Sequence, residues 1–100
     1  MKARLTARAA ADLEAIRDYL LPLNPMGAER VRAAIANTIE VLEDFPQSGR
    51  QTDVAGIRVI IVVRYSYVVY HLLSGTEIII VHIRHGARDA PGSDELTVKD

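Results

Sequence analysis

The sequence predicts an α+β fold in which a helical hairpin packs on a small antiparallel sheet, in the order β-α-α-β-β-β. Apolar residues recur at helical spacing in the first half, and β-branched residues dominate the second half. The links between the predicted strands are too short for crossover helices. The chain has 100 residues, 49% of them hydrophobic, which suits one domain with its own core. We expect that domain to cover residues 1–90.

The predicted helical hairpin follows a short strand over Lys2–Leu5. Thr6 stands where an N-cap belongs, and Asn24 can cap a second helix with Pro25 at its first position. A proline follows each helix and ends it. The apolar stripes expected to face the sheet are Ala9, Leu13, Ile16 and Leu20 in the first helix, and Ala28, Val31, Ile35, Thr38, Leu42 and Phe45 in the second.

Three strands are predicted in the second half of the chain. Ile57–Arg64 is β-branched, and Tyr67–Leu73 follows after a two-residue link. Ser74–Thr76 has the composition of a hairpin turn and leads to a third strand over Glu77–Arg84. Sequential strands with such links favour an antiparallel meander, and Gln47–Arg50 before them has turn composition.

Alternation along the first and third of these strands separates two faces. One face is wholly apolar and is expected to pack on the helices; it consists of Ile57, Val59, Ile61 and Val63 with Ile79, Val81 and Ile83. The other face is apolar in its middle and basic towards some strand ends, which is unusual for a sheet face exposed to water. Either a partner covers it, or the helices or the C-terminal segment do. The candidate partner-binding residues are Arg58, Ile60, Val62, Ile80, His82 and Arg84, with Arg88 just beyond the last strand.

Charge and composition exclude several functional classes. Twelve Lys and Arg against thirteen Asp and Glu give a net charge of −1, which argues against strong direct binding of nucleic acid through bulk positive charge. The absence of cysteine excludes disulfides and thiolate chemistry. No apolar run is long enough to span a membrane. Residues 91–100 are acidic, and we expect them to form a loosely ordered tail.

The strongest local signal for chemistry is the segment Arg84–Asp89. His85 can titrate near neutral pH, and its flanking Arg84 and Arg88 can bind phosphate or carboxylate. The competing interpretation, which the residues alone favour, is structural: Arg88 and Asp89 pair with each other or tie the strand end to a neighbouring element. No HxH or HExxH spacing exists, so neither a metal site nor a cofactor is predicted.

The order of several short motifs is similar to the ParE/RelE toxin superfamily, and more so to its ParE branch. The resemblance covers about residues 3–90. It rests on Leu5-Thr6, Ala10, Asp12-Leu13, Ile16 and Tyr19, then Ala28, Ile35, Leu42 and Phe45-Pro46, and finally Gly49-Arg50, Gly56-x-Arg58, Tyr67-x-x-Tyr70 and His85–Asp89. Many relatives carry Arg in the last strand where His82 stands here.

The resemblance implies a cytoplasmic bacterial toxin of a type II toxin–antitoxin system. A ParD-like antitoxin encoded beside it would neutralise it, and DNA gyrase would be its target. Members of the ParE branch have no known catalytic activity of their own. The alternative is a RelE-like, ribosome-dependent mRNA endonuclease, for which His85 would be the acid/base and Arg58, Arg84 and Arg88 would hold phosphate. The chain has no Lys between Lys2 and Lys99, which favours the ParE branch.

Overall fold

Two helices lie on one face of a five-stranded sheet in the computed structural model, which describes residues 1–86. The α+β class and the predicted order of elements are confirmed, with one additional two-residue strand in the segment predicted as a turn. No helix among residues 1–86 is both long and apolar enough to cross a membrane. The elements are β1 (Lys2–Leu5), α1 (Ala7–Leu20), α2 (Pro25–Asp44), β2 (Arg50–Gln51), β3 (Arg58–Ile61), β4 (Tyr67–Ser74) and β5 (Glu77–His85).

The sheet is mixed, and the prediction of an antiparallel sheet is wrong for one strand. The strand order is β1-β5-β4-β3-β2. Strands β2 to β5 pair antiparallel, as their short links require. Strand β1 pairs parallel with β5. The helical hairpin and three strands intervene between β1 and β5, so no tight turn constrains their relative direction.

Both predicted helix starts are confirmed. The hydroxyl oxygen of Thr6 accepts a hydrogen bond from the Ala9 amide at 3.1 Å, and the side-chain oxygen of Asn24 accepts one from the Gly27 amide at 3.0 Å. The predicted stripes face the sheet except at Phe45, the last position of the second stripe. Helix α2 ends at Asp44, so the non-helical backbone of Phe45 turns its ring away and leaves it 66% exposed.

The assignment of sheet faces from sequence is wrong for most positions. The helix-side core takes Val69, Ile78, Ile80 and Ile83 from the strands and Val62 from the position just after β3. The opposite side, which we call the second face, has its own buried cluster of Ile57, Val59, Tyr70, Ile79 and Val81. Both faces are apolar in mid-strand, so alternation defined the two sets but not which set meets the helices.

A bulge in β5 explains why Ile83 behaves differently from its neighbours. Tyr70 pairs with His82 while the next residue, His71, pairs with Ile80, so Val81 has no residue opposite it. The extra residue reverses the alternation beyond that point. Ile83 therefore lies on the helix side although Val81 lies on the second face.

Candidate functional site

Helix α1 supplies hydrogen-bond partners to the part of β5 that β1 does not reach. Strand β1 pairs with β5 only as far as Ile80. The Thr6 hydroxyl then donates to the Val81 carbonyl at 3.2 Å. One carboxylate oxygen of Asp12 accepts from the Ile83 amide at 3.0 Å and lies 2.6 Å from Nδ1 of His82. These bonds attach α1 to β5 where the sheet edge would otherwise be open.

The Asp12–His82 pair is largely shielded from water. His82 is 6% exposed, and its ring stacks on Tyr70 with centroids 5.9 Å apart. Burial raises the pKa of Asp12, but the hydrogen bonds from His82, the Ile83 amide and Arg8 outweigh it and hold that pKa below its ordinary value. The carboxylate is therefore ionised at neutral pH. Sequence reasoning missed this pair, because only the fold brings these two distant residues together.

Within residues 1–86, the residues predicted for phosphodiester cleavage do not form one cluster. Arg58 lies opposite His71, and His85 lies opposite Tyr67, at positions four residues apart along β4. That spacing corresponds to about 13 Å along the strands. Arg84 alternates with His85 and lies on the other face of the sheet. Arg88 lies outside the described residues.

The Arg58 side chain makes hydrogen bonds within the fold. Its guanidinium donates to the carbonyls of Gln47 at 3.1 Å and Gly49 at 3.3 Å, which ties β3 to the loop after α2. Beside it, His71 is 0% exposed, and neither ring nitrogen has a hydrogen-bond partner among residues 1–86. Burial, together with the charge of Arg58, lowers the pKa of His71 to about 4. His71 is therefore neutral at physiological pH.

Burial removes part of the predicted partner surface. Val62 and Ile80 are fully buried under the helices, and half-buried Ile60 packs against the same core, so these three do not form an accessible surface. His82 is held by Asp12. Arg84 lies on the second face, and one of its terminal nitrogens is buried without a hydrogen-bond partner in the described part of the chain.

A groove of about 260 Å³ runs between α1 and α2. Sequence reasoning assigned its apolar residues to core stripes and did not foresee an opening between the helices. The groove has charged residues of both signs among its apolar ones, and is lined by Ala10, Leu13, Glu14, Ile16, Arg17, Ala28, Val31, Arg32 and Ile35. Among residues 1–86, no group of three or more His, Asp or Glu side chains is placed to hold a metal ion.

Comparisons with known proteins give a ParE family model, a relative named as a RelE toxin and a structure of a ParDE system. The model of the family described as "ParE toxin of type II toxin-antitoxin system, parDE" matches residues 3–90. Toxin RelE2 of Caulobacter vibrioides (strain ATCC 19089 / CIP 103742 / CB 15) is 37% identical over 83 residues, which cover 83% of this chain and 92% of that protein. A chain of the solved "Chromosomal ParDE TA system from P. aeruginosa" is similar at a TM-score of 0.65 and 30% identity, covering 85% of this chain and 95% of that one.

Proposed function

We propose that this chain, which belongs to the ParE toxin family of type II toxin–antitoxin systems, inhibits DNA gyrase and is neutralised by a ParD-like antitoxin. The match to the ParE family model over residues 3–90 carries the proposal. The similar fold of a chain from a solved ParDE system supports it. So does the separation of Arg58 from Arg84 and His85, because phosphodiester cleavage needs converging acid/base and cationic groups.

Expression of the toxin without its antitoxin tests this proposal in cells. Gyrase trapped on cleaved DNA leaves double-strand breaks, so we expect growth arrest together with fragmented chromosomal DNA. Co-expression of the small gene adjacent to the toxin gene should restore growth and intact DNA. Growth arrest with intact chromosomes would contradict gyrase as the target, and unimpeded growth would contradict toxicity.

The groove between α1 and α2 is the surface that best fits the antitoxin. Its floor is apolar, so a partner that covers it would gain hydrophobic free energy. Glu14 and Arg17 also line it and can pair with opposite charges on the partner. An amphipathic helix matches these requirements, because it presents an apolar stripe between polar flanks. We therefore propose that one antitoxin contact lies in this groove.

Two adjacent alanines of α1 allow a matched test of that contact. Ala10 lines the groove and Ala11 does not, although both are exposed. Arginine at position 10 would fill the groove, so Ala10→Arg should weaken antitoxin binding at least about tenfold, a loss of about 1.4 kcal/mol. Ala11→Arg should bind as the native protein does. Equal affinities of the two variants in titration calorimetry would show that the antitoxin docks elsewhere.

A second candidate function is cleavage of ribosome-bound mRNA. The 37% identity to a protein named Toxin RelE2 favours it. Replacement of both His85 and Arg88 by Ala should then abolish the toxicity. Primer extension on translated mRNA should show new 5′ ends in cells making the native toxin and none in cells making the variant. Unchanged transcripts and unchanged toxicity would refute this function.

A further inference from the structure

One side of α1 carries a row of four exposed side chains, which we call the α1 row. It consists of Ala10, Glu14, Arg17 and Leu21, whose 4-3-4 spacing places them on one side of a helix. Leu21 belongs to the row because its backbone is still helical, at φ −57° and ψ −47°. The first three members line the groove between α1 and α2, and Leu21 continues the row towards the loop that joins the helices.

The two charged members of the α1 row are available to an incoming partner. Glu14 is exposed and forms no ion pair among residues 1–86. Arg17 contacts its neighbour Asp18 at 3.2 Å, but these two side chains are 62% and 66% exposed, so the pair is weak. A new ion pair at either residue would therefore disturb little of the existing structure.

The α1 row is complementary to itself when its direction is reversed. Two antiparallel α1 helices can be related by a two-fold axis that passes between positions 15 and 16. Glu14 then lies opposite Arg17 of the second copy, and the exchanged pair occurs on the other side of the axis. In the same register the small Ala10 lies opposite the large Leu21 of the second copy, again twice. The matched contacts extend over about 16 Å of helix.

We propose that the α1 row binds the same row of a second copy of this chain, in a symmetric dimer with antiparallel α1 helices. A two-fold interface repeats every contact with the roles exchanged, and this row supplies two ion pairs and two contacts of a small with a large side chain. The partly buried Leu13 and Ile16 beside the row add apolar surface for the second helix. Because a pair of short helices buries little area, the dissociation constant should lie in the micromolar range.

Dimerisation uses the groove in which we propose an antitoxin contact. The second copy and the antitoxin should therefore exclude each other, and antitoxin binding should convert the dimer into the toxin–antitoxin complex. Only this competition rests on the proposed antitoxin contact. The dimer is measured with the toxin alone, so failure of the dimer and failure of the antitoxin contact are distinguishable.

Reversal of the charges in the α1 row tests the proposal by sedimentation equilibrium of the purified toxin. Glu14→Arg brings two arginines together at both ion pairs, so the dissociation constant should rise at least about tenfold. Arg17→Glu should have the same effect, because it brings two glutamates together. The double variant restores both pairs with their signs exchanged, and its dissociation constant should lie within about threefold of the native value.

Two exposed residues of α2 provide controls for net charge. Glu40→Arg and Arg30→Glu make the same changes of charge as the two single variants, but at positions that do not line the groove. Both should dimerise as the native chain does. All of these substitutions replace exposed side chains, so the thermal midpoints of the variants should stay close to that of the native protein.

Disulfide formation between single-cysteine variants tests the direction of the two helices. The chain has no cysteine of its own, so each variant carries one thiol. In the antiparallel register, a mixture of Ala10→Cys and Leu21→Cys should form mixed disulfides faster than either variant links to itself. Faster linking of Ala10→Cys to itself would show parallel helices and overturn the proposed register.

Three results of the sedimentation experiment would overturn the proposal. The first is a native chain that stays monomeric at millimolar concentration. The second is a native dimer that neither single charge reversal weakens, because the interface then lies elsewhere. The third is a folded double variant that remains as weak as Glu14→Arg alone. A native dimer that the single reversals weaken and the double variant restores supports it.

Discussion

Acid pH should destabilise the protein through His71. The imidazole is 0% exposed with neither nitrogen hydrogen-bonded among residues 1–86, and its pKa is lowered from 6.5 to about 4. As pH falls below 6.5, the unfolded chain binds a proton at this residue while the folded chain does not, so stability falls. The loss is complete below about pH 4. At 1.36 kcal/mol per pKa unit, the whole effect is on the order of 3 kcal/mol, of which about 2 kcal/mol is lost between pH 7.5 and pH 5.

Urea unfolding at these two pH values measures the effect. The free energy of unfolding of the native protein should fall by at least the amount assigned to His71. In His71→Leu the fall should be smaller by about 2 kcal/mol, because leucine cannot bind the proton. That variant should be as stable as the native protein at neutral pH or more so, since an apolar side chain replaces two unpartnered nitrogens.

A second histidine variant separates this effect from general acid sensitivity. His85 is half-buried at the end of β5. It lies opposite Tyr67, which is four positions along β4 from His71. His85→Gln should therefore keep the part of the pH dependence that His71→Leu loses. The reasoning is refuted if His71→Leu retains the full native pH dependence, or if NMR shows His71 titrating near 6.5 in the folded protein.

Four further substitutions test individual contacts and turns of the fold. Asp12→Ala leaves the His82 ring and the Ile83 amide without their acceptor, so it should lower the free energy of unfolding in urea by about 2 kcal/mol. A decrease below about 0.5 kcal/mol would show that the pair contributes little. Gly49→Ala should cost more than about 2 kcal/mol, because φ is +85° and the added Cβ would overlap a β3 carbonyl oxygen. Gly75 has φ +61° with open space around it, so Gly75→Ala should lower the free energy of unfolding by only about 1 kcal/mol. Equal melting temperatures of the Gly49 and Gly75 variants would contradict the larger effect expected at Gly49. Thr6→Val removes the cap of α1 and should lower stability by about 1 kcal/mol, whereas an unchanged thermal midpoint would show that the cap is dispensable.

Local chemistry made much of the fold predictable. Caps such as Thr6 and Asn24 act through hydrogen bonds to residues three positions away, so the sequence alone contains both partners. The apolar stripe from Ala28 to Leu42 likewise fixed the inward side of α2. The helical hairpin and the three main strands followed from such signals.

The sheet faces and the site depend on information that is not local. Ile78 and Ile79 are equally apolar, and only the packing of the helices decides that Ile78 faces them. The bulge at Val81 leaves no trace in composition. The Asp12–His82 pair joins residues 70 positions apart, so neither residue marks the other in the sequence. The predicted partner surface rested on the same face assignment, and two of its members, Val62 and Ile80, lie buried on the helix side.

The central claim is that this member of the ParE family acts by poisoning gyrase, and the supercoiling of relaxed plasmid by purified gyrase tests it most directly. The account predicts that added toxin blocks supercoiling and traps cleaved DNA, and that prior mixing with the purified antitoxin prevents both effects. Undiminished supercoiling without cleaved DNA, at a large excess of folded toxin over gyrase, would contradict the account.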